Sequence, residues 1–346
     1  MAKSLQIFVP GKAESDLITD LDVHFAKAEK GIYKQLKEWE LNGRYLAGEQ
    51  WVKWNSYTNE LIPAKRPPRG RIQVTENQLD PWYWDRVSKL TQSRAWIETI
   101  ATNIEGESLN AAEIGNLLVE WMYEHYHMER KFADSAKTLC LFGTSFLKTT
   151  WNSDFGDEIM LSDEASGKQK SLGKTGDMVV EVLVPHEIKP DPSAKDMETC
   201  HWLFHERGIS PEVVDDYFGP DAVDGAEQWG VKGSSAVLQR LKTSVPTAYT
   251  TLVTSYTSDL LSVKEFFQLP NKKHPKGRRV IFTGKKILVE PEDLPSFYLK
   301  EAPFGIVPFY YYKQPFKFWG DTTFSNLRFP QERHNKVLSR LTEQVY

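Results

Sequence analysis

The chain has 346 residues, with 43 basic and 47 acidic side chains and a net charge of −4. That balance gives no electrostatic footprint for sequence-specific DNA binding, where a clearly basic domain is expected. Charged residues at 26% and aromatics at 12%, including 11 Trp, exclude global disorder. Two cysteines, Cys140 and Cys200, cannot build a disulfide framework. No run of about 18 apolar residues marks a membrane span, and Met1-Ala2-Lys3 opens into a mixed segment rather than a signal peptide's apolar core. The expected place of folding is a cytoplasm, and the length prior is about two domains.

In chain order, Ser15 or Asp16 caps a helix running to about Leu41, with Leu17, Leu21, Phe25, Ile32, Leu36 and Trp39 on its apolar side. An aromatic segment, Tyr45 to Trp51, leads to a Pro-rich loop, Pro63 to Arg71. Its basic residues Lys65, Arg66, Arg69 and Arg71 are read either as contacts to DNA or a partner, or as a solvated turn. Residues 73–94 read as largely helical, with Pro81 in the first turn. Ile97 to Ile104 reads as a short strand, followed by a long helix from about Asn110 to Leu141 that Gly143 ends, and a strand from Ser145 to Trp151.

The middle is β-rich. Glu158 to Leu161 and Met178 to Val184 read as a hairpin around the polar loop Ser162 to Gly176. Two X-Pro steps make Ile188 to Ser193 an extended turn, His201 to Glu206 is a strand, and Ser210-Pro211 starts a short helix through Tyr217. Residues 219–262 carry no decisive signal. Strands follow at Ser262 to Gln268, Val280 to Thr283 and Lys286 to Val289. The basic loop Asn271 to Arg279, holding Lys272, Lys273, Arg278 and Arg279, invites the same two readings as the earlier one. Ile306 to Lys313, hemmed by prolines, reads as an edge or interrupted strand; Phe316 to Gly320 is an aromatic turn that includes Trp319. From Thr322 a helix runs on, kinked or restarted at Pro330. Gln331, Asn335 and Ser339 recur on it at four-residue steps, so three polar groups share one stripe. No glycine, proline or asparagine follows Lys336 to close it.

The search for chemistry returns little. Gly167 to Thr175 has five residues between its glycines where a phosphate-cradling loop needs four, and it precedes a strand rather than a helix. Cys200, His201 and His205 lack the paired spacing and fourth group that zinc requires. His125 and His127 point about 200° apart on a helix, and Asp215-Asp216 do not converge. No catalytic residue, cofactor or metal is expected.

Five stretches carry a resemblance. They are Tyr45-Leu46-Ala47-Gly48-Glu49-Gln50-Trp51 after the first helix, Lys89-Leu90-Thr91-Gln92-Ser93, and Leu141 to Lys148 leading into a tryptophan strand. Pro185-His186-Glu187-Ile188-Lys189-Pro190-Asp191-Pro192 is the fourth, and Phe318-Trp319-Gly320-Asp321 before the Gln331, Asn335, Ser339 helix is the fifth. In this order they resemble the portal (head-to-tail connector) proteins of tailed bacteriophages, most nearly those of short-tailed phages, over about residues 30–346. The resemblance implies an α+β wing-like domain of long helices and antiparallel β segments leading into a stem helix. Residues 1–75 would be the N-terminal helix and basic arm, and 76–315 the wing, helical over 76–142 and β-rich over 143–315. Residues 316–346 would be the start of the stem, with clip, second stem helix and crown lying beyond Tyr346. It further implies a non-enzymatic, dodecameric ring at one capsid vertex of the virion. The ring would assemble in the host cytoplasm, pass double-stranded DNA non-specifically, and dock terminase, capsid and scaffolding proteins and tail adaptors, with no membrane partner. Gln331, Asn335, Ser339 and Trp319 would then lie near subunit contacts. A different phage capsid or tail structural protein, or a packaging enzyme such as a terminase, are the alternatives.

Overall fold

A computed structural model describes residues 12–57, 60–64, 71–93, 97–162, 169–231, 233–244, 259–295, 298 and 303–345. The fold is α+β. Helix α1 (Lys12–Leu46) is 35 residues long. The hairpin β1 (Val52–Asn55) and β2 (Glu60–Pro63) follows, then helices α2 (Leu79–Thr91), α3 (Gly106–His125) and α4 (Met128–Phe142). Next come β3 (Thr144–Asn152), β4 (Glu158–Ser162), β5 (Gln169–Lys174), β6 (Asp177–Leu183), β7 (Ile188–Pro190) and β8 (Trp202–Ile209). Helices α5 (Pro211–Phe218) and α6 (Gly233–Ser244) precede β9 (Leu261–Gln268), β10 (Arg278–Thr283) and β11 (Lys286–Glu292). The chain closes with β12 (Ile306–Tyr310), β13 (Tyr312–Lys313), β14 (Gly320–Asp321) and α7 (Thr323–Val345).

Among the described residues all strand pairs are antiparallel. The larger sheet runs β11-β10-β9-β8-β7 and the smaller β12-β3-β6. The larger one is covered on both faces, so β9 is buried along nearly its whole length. On one face Phe204, Phe266, Val280 and Phe282 pack under Leu21 and Ala28 of α1. On the other, Leu203 and Phe267 join Phe146, Leu183, Phe304 and Ile306 of the smaller sheet and its approach. The second half of α1 leaves the sheet and enters a helical core, where Ile32, Leu36 and Trp39 meet Tyr83, Phe142, Leu241 and Phe324.

Several expectations are corrected. Residues 71–78 are not helical; α2 begins at Leu79, with Pro81 in its first turn. Ile97 to Ile104 forms no strand: Thr99 instead bonds Asn116 and the Ala112 carbonyl, laying this stretch along α3. The long helix is two, because His127 adopts a left-handed conformation (φ 50°) between α3 and α4. The expected hairpin pairs otherwise. β6 pairs with β3, setting Leu183 opposite Phe146 and Val182 opposite Leu147, while β4 takes the polar β5. Pro330 does not restart the helix, since α7 runs on through it.

The C-terminus of α4 joins several parts of the chain. A helix end leaves its last carbonyls without intrahelical donors. Here the Cys140 carbonyl accepts from Thr322 Oγ1 (2.6 Å), Leu141 from Asn42 Nδ2 (2.8 Å), Phe142 from Trp39 Nε1 (3.0 Å) and Gly143 from the Tyr311 amide (3.0 Å). Gly143 (φ 79°) ends the helix and lies against Gly320. A Cβ on Gly320 would sit 2.3 Å from the Gly143 carbonyl oxygen, so both glycines are needed for the approach. Thr322 also accepts from the Phe324 amide and so starts α7 at the point where it caps α4. Thr322→Val keeps the shape and removes both bonds. It is expected to cost about 1–3 kcal/mol, read as a lower urea midpoint at unchanged slope.

Candidate functional site

The polar stripe of α7 is buried inside the chain. Gln331, Asn335 and Ser339 are 2–6% exposed, and each holds residue 78, 76 or 74 by its backbone. Ser339 Oγ accepts from the Val74 amide (3.0 Å), Asn335 Oδ1 from Glu76 (3.2 Å) and Gln331 Oε1 from Gln78 (3.2 Å). Glu343 extends the series to the Ile72 amide (3.0 Å), and Gln331 Nε2 returns a bond to the Glu76 carbonyl (2.6 Å). Two repeats match here. Four helical residues rise about 6 Å, and two residues of extended chain about 6.6 Å. The small mismatch is met by side-chain reach, shortest at Ser339 and longer at Gln331 and Glu343. Asn335 also donates to Gln50, which donates to Asn77; Asn77 in turn donates to the Leu46 carbonyl at the end of α1.

These bonds explain why 71–78 is not a helix: alternate amides are already taken by α7. The stripe therefore joins α7 to its own chain. Glu343 continues the four-residue step and was readable; Gln50 and Asn77 carried no periodic signal.

Trp319, partly exposed, lies in an aromatic node. Its ring meets Trp39 edge-on at 4.9 Å and Phe146 at 6.0 Å. His186 lies 4.8 Å from Trp39 and 4.9 Å from Phe142. Thus Leu141 to Lys148, Pro185 to Pro192 and Phe318 to Asp321 converge on Trp39 of α1.

The basic candidates divide. Lys65, Arg66 and Arg69 lie outside the described residues, while Arg71, Lys272 and Lys273 are exposed. Arg278 and Arg279 are in β10 rather than in a loop, and both turn inward. Arg278 bonds Gln268 and lies over Phe266, and Arg279 bonds Glu265 (2.7 Å).

Glu265 belongs to a buried network the sequence did not reveal. It pairs with Lys148 and Arg279. Burial opposes its ionisation, but Lys148, His205 and Arg279 outweigh this and hold the carboxyl well below its usual range. Arg207 pairs with Glu181 nearby (2.6 Å). These groups floor a cavity of about 380 Å³ walled by Trp151, Phe155 and Phe218. On the opposite sheet face Lys189 pairs with Glu206, and Lys264 with Glu227. The Phe25 ring lies 5.0 Å from the Lys189 ammonium and 4.1 Å from that of Lys264. Burial pushes both thiols, Cys140 and Cys200, up to about 12, so neither is an activated nucleophile. Among the described residues no group of three or more His, Cys, Asp or Glu is placed to hold a metal ion. No helix among them is long and apolar enough to cross a membrane.

Compared with known proteins, the sequence matches no protein-family model and no curated protein.

Two expectations follow. Asn335→Ala breaks the middle of the ladder at a cost of about 1–3 kcal/mol. Amide exchange at Val74, Glu76 and Gln78 should then accelerate roughly 10- to 100-fold while α2 stays protected. His186 is fully buried with neither ring nitrogen bonded, and burial, then Lys189, depresses its pKa to about 3. The native imidazole stays neutral while the unfolded one protonates near 6.5. Its contribution is full above that value and is lost as pH falls toward 3. Between pH 7 and 5 it removes about 2 kcal/mol of stability, so His186→Phe should show that much less acid-dependent loss in urea titrations at the two pH values.

Proposed function

We propose that this chain is a subunit of a bacteriophage portal, a ring at one capsid vertex through which the genome is packaged and ejected. The supporting observation is the convergence described above. Three of the stretches that carry the resemblance meet on Trp39, and a fourth, Tyr45 to Trp51, joins the same assembly through Gln50 and Asn335. Thr322 starts α7 at this node, and the ladder then straps α7 to the body at four points. A wing that must hand load to a stem needs such an exit: one helix, fixed in direction, leaving a rigid base. Residues up to about 315 are read as wing and α7 as the onset of the stem.

The charge fits this role. DNA that slides requires a wall without strong phosphate clamps, since each paired phosphate adds a salt-sensitive hold. A chain of net charge −4, with Arg278 and Arg279 committed to internal partners, supplies few. Twelve copies in the virion, with terminase, capsid, scaffolding and tail-adaptor proteins docked around them, complete the reading.

Negative-stain imaging and mass photometry of the protein expressed from its full reading frame test it. Rings near twelve times the subunit mass are expected. Monomers at every concentration tried, or ATP turnover by those monomers, would overturn it.

A further inference from the structure

Two helices expose apolar faces with opposite charged flanks. Of α3, only Tyr123 is buried. Ile114, Leu117, Leu118 and Trp121 form one face, each 50–65% exposed. Glu113, Glu120 and Glu124 flank it, and the helix contains no lysine or arginine. On α7 the side opposite the ladder carries Phe329, Arg333, Val337, Leu341 and Val345 at four-residue steps, about 200° around the axis from Gln331, Asn335 and Ser339. Phe329, Val337, Leu341 and Val345 are 52–82% exposed. Arg333 lies over the Phe329 ring at 4.5 Å, and Lys336 and Arg340 flank the stripe. Arg333 and Arg340, like Glu113 and Glu120, form no ion pair among the described residues.

Apolar patches of this kind mark interaction surfaces. Their charges decide the partner. A second α3 would set glutamates against glutamates, and a second α7 arginines against arginines. Only the unlike pair joins opposite charges around two apolar centres.

We propose that α3 of one copy docks on the outer face of α7 of the next, with Glu113 and Glu120 facing Arg333 and Arg340. The contact is heterologous, so each copy offers one free face of each kind, which is the geometry that closes into a ring. The inference rests on the ring reading for that closure and adds the surfaces that form it. It also gives α7 two working sides, the ladder holding its own chain and the opposite stripe holding the neighbour.

Charge reversal on the full chain tests the contact. Glu113→Lys with Glu120→Lys, and separately Arg333→Glu with Arg340→Glu, should each raise the concentration needed for self-association at least tenfold. All four changes together should recover it, as should an equimolar mixture of the two double variants. Recovery also shows that the reversed chains are folded. Unaltered assembly in both double variants, or loss without recovery in either combination, overturns the α3–α7 pairing. If the native chain forms rings and the reversals fail in this way, the ring reading stands and the contact falls. A native chain that never self-associates removes both.

Discussion

The buried end of one helix governs much of the structure. Helix α4 terminates inside the protein, where its last carbonyls cannot turn to water, and each carbonyl from Cys140 to Gly143 is met by a donor from a different part of the chain. Two of the donors, Trp39 and Asn42, are one turn apart on α1; Thr322 precedes α7, and Tyr311 follows β12. Leaving any of these oxygens bare would cost desolvation without return. The relative placement of α1, α4, β12 and α7 is therefore set by the valence of a helix terminus as much as by the apolar side chains around it. The aromatic node is the packing consequence, since the residues that supply or flank these bonds, Trp39, Phe142 and Trp319, bring their rings with them.

The sheet resolves a second constraint in a different way. Both of its faces are covered, yet β8 and β9 carry Glu206, Lys264 and Glu265 along their length. Alternation sends Glu206 and Lys264 to the α1 side and Glu265 to the other. Each carboxylate finds a cation on its own face, so neither face retains a lone buried charge. Such pairs contribute little net stability over apolar replacements. Breaking one partner, however, strands the other, and the arrangement strongly disfavours any shift in the register of β8 on β9.

Much of this was legible beforehand where the signal was local. The apolar spacing of α1, the glycine ending α4, the proline starting α5 and the β9–β11 strands are all readable, because propensity and packing agree there. The misread segments are those where a distant partner overrides local preference. Val74 to Gln78 has helical spacing, but its amides are claimed by side chains some 260 residues later in the chain. The turn at His127 requires a left-handed backbone at a residue with no glycine to announce it. Gln331, Asn335 and Ser339 stood out from the sequence as a stripe. Their spacing showed that they act together and not which surface they act on, since a polar stripe serves a neighbouring subunit and the same chain equally well.

The ladder recognises backbone rather than side chains. Within 74–78, Ser339, Asn335 and Gln331 bond the amides of residues 74, 76 and 78 and the Glu76 carbonyl, so they place almost no demand on which amino acids stand at those three positions, proline apart. What they do demand is count. One residue added or removed within 72–78 would turn the facing amides outward and present their neighbours' amides to the helix at the wrong height. In descendants of this sequence, residues 74, 76 and 78 are free to drift in composition while the length of the stretch stays fixed and Asn77 keeps its own side-chain bonds, and the helix behind it carries the constraint as four polar positions that cannot change independently.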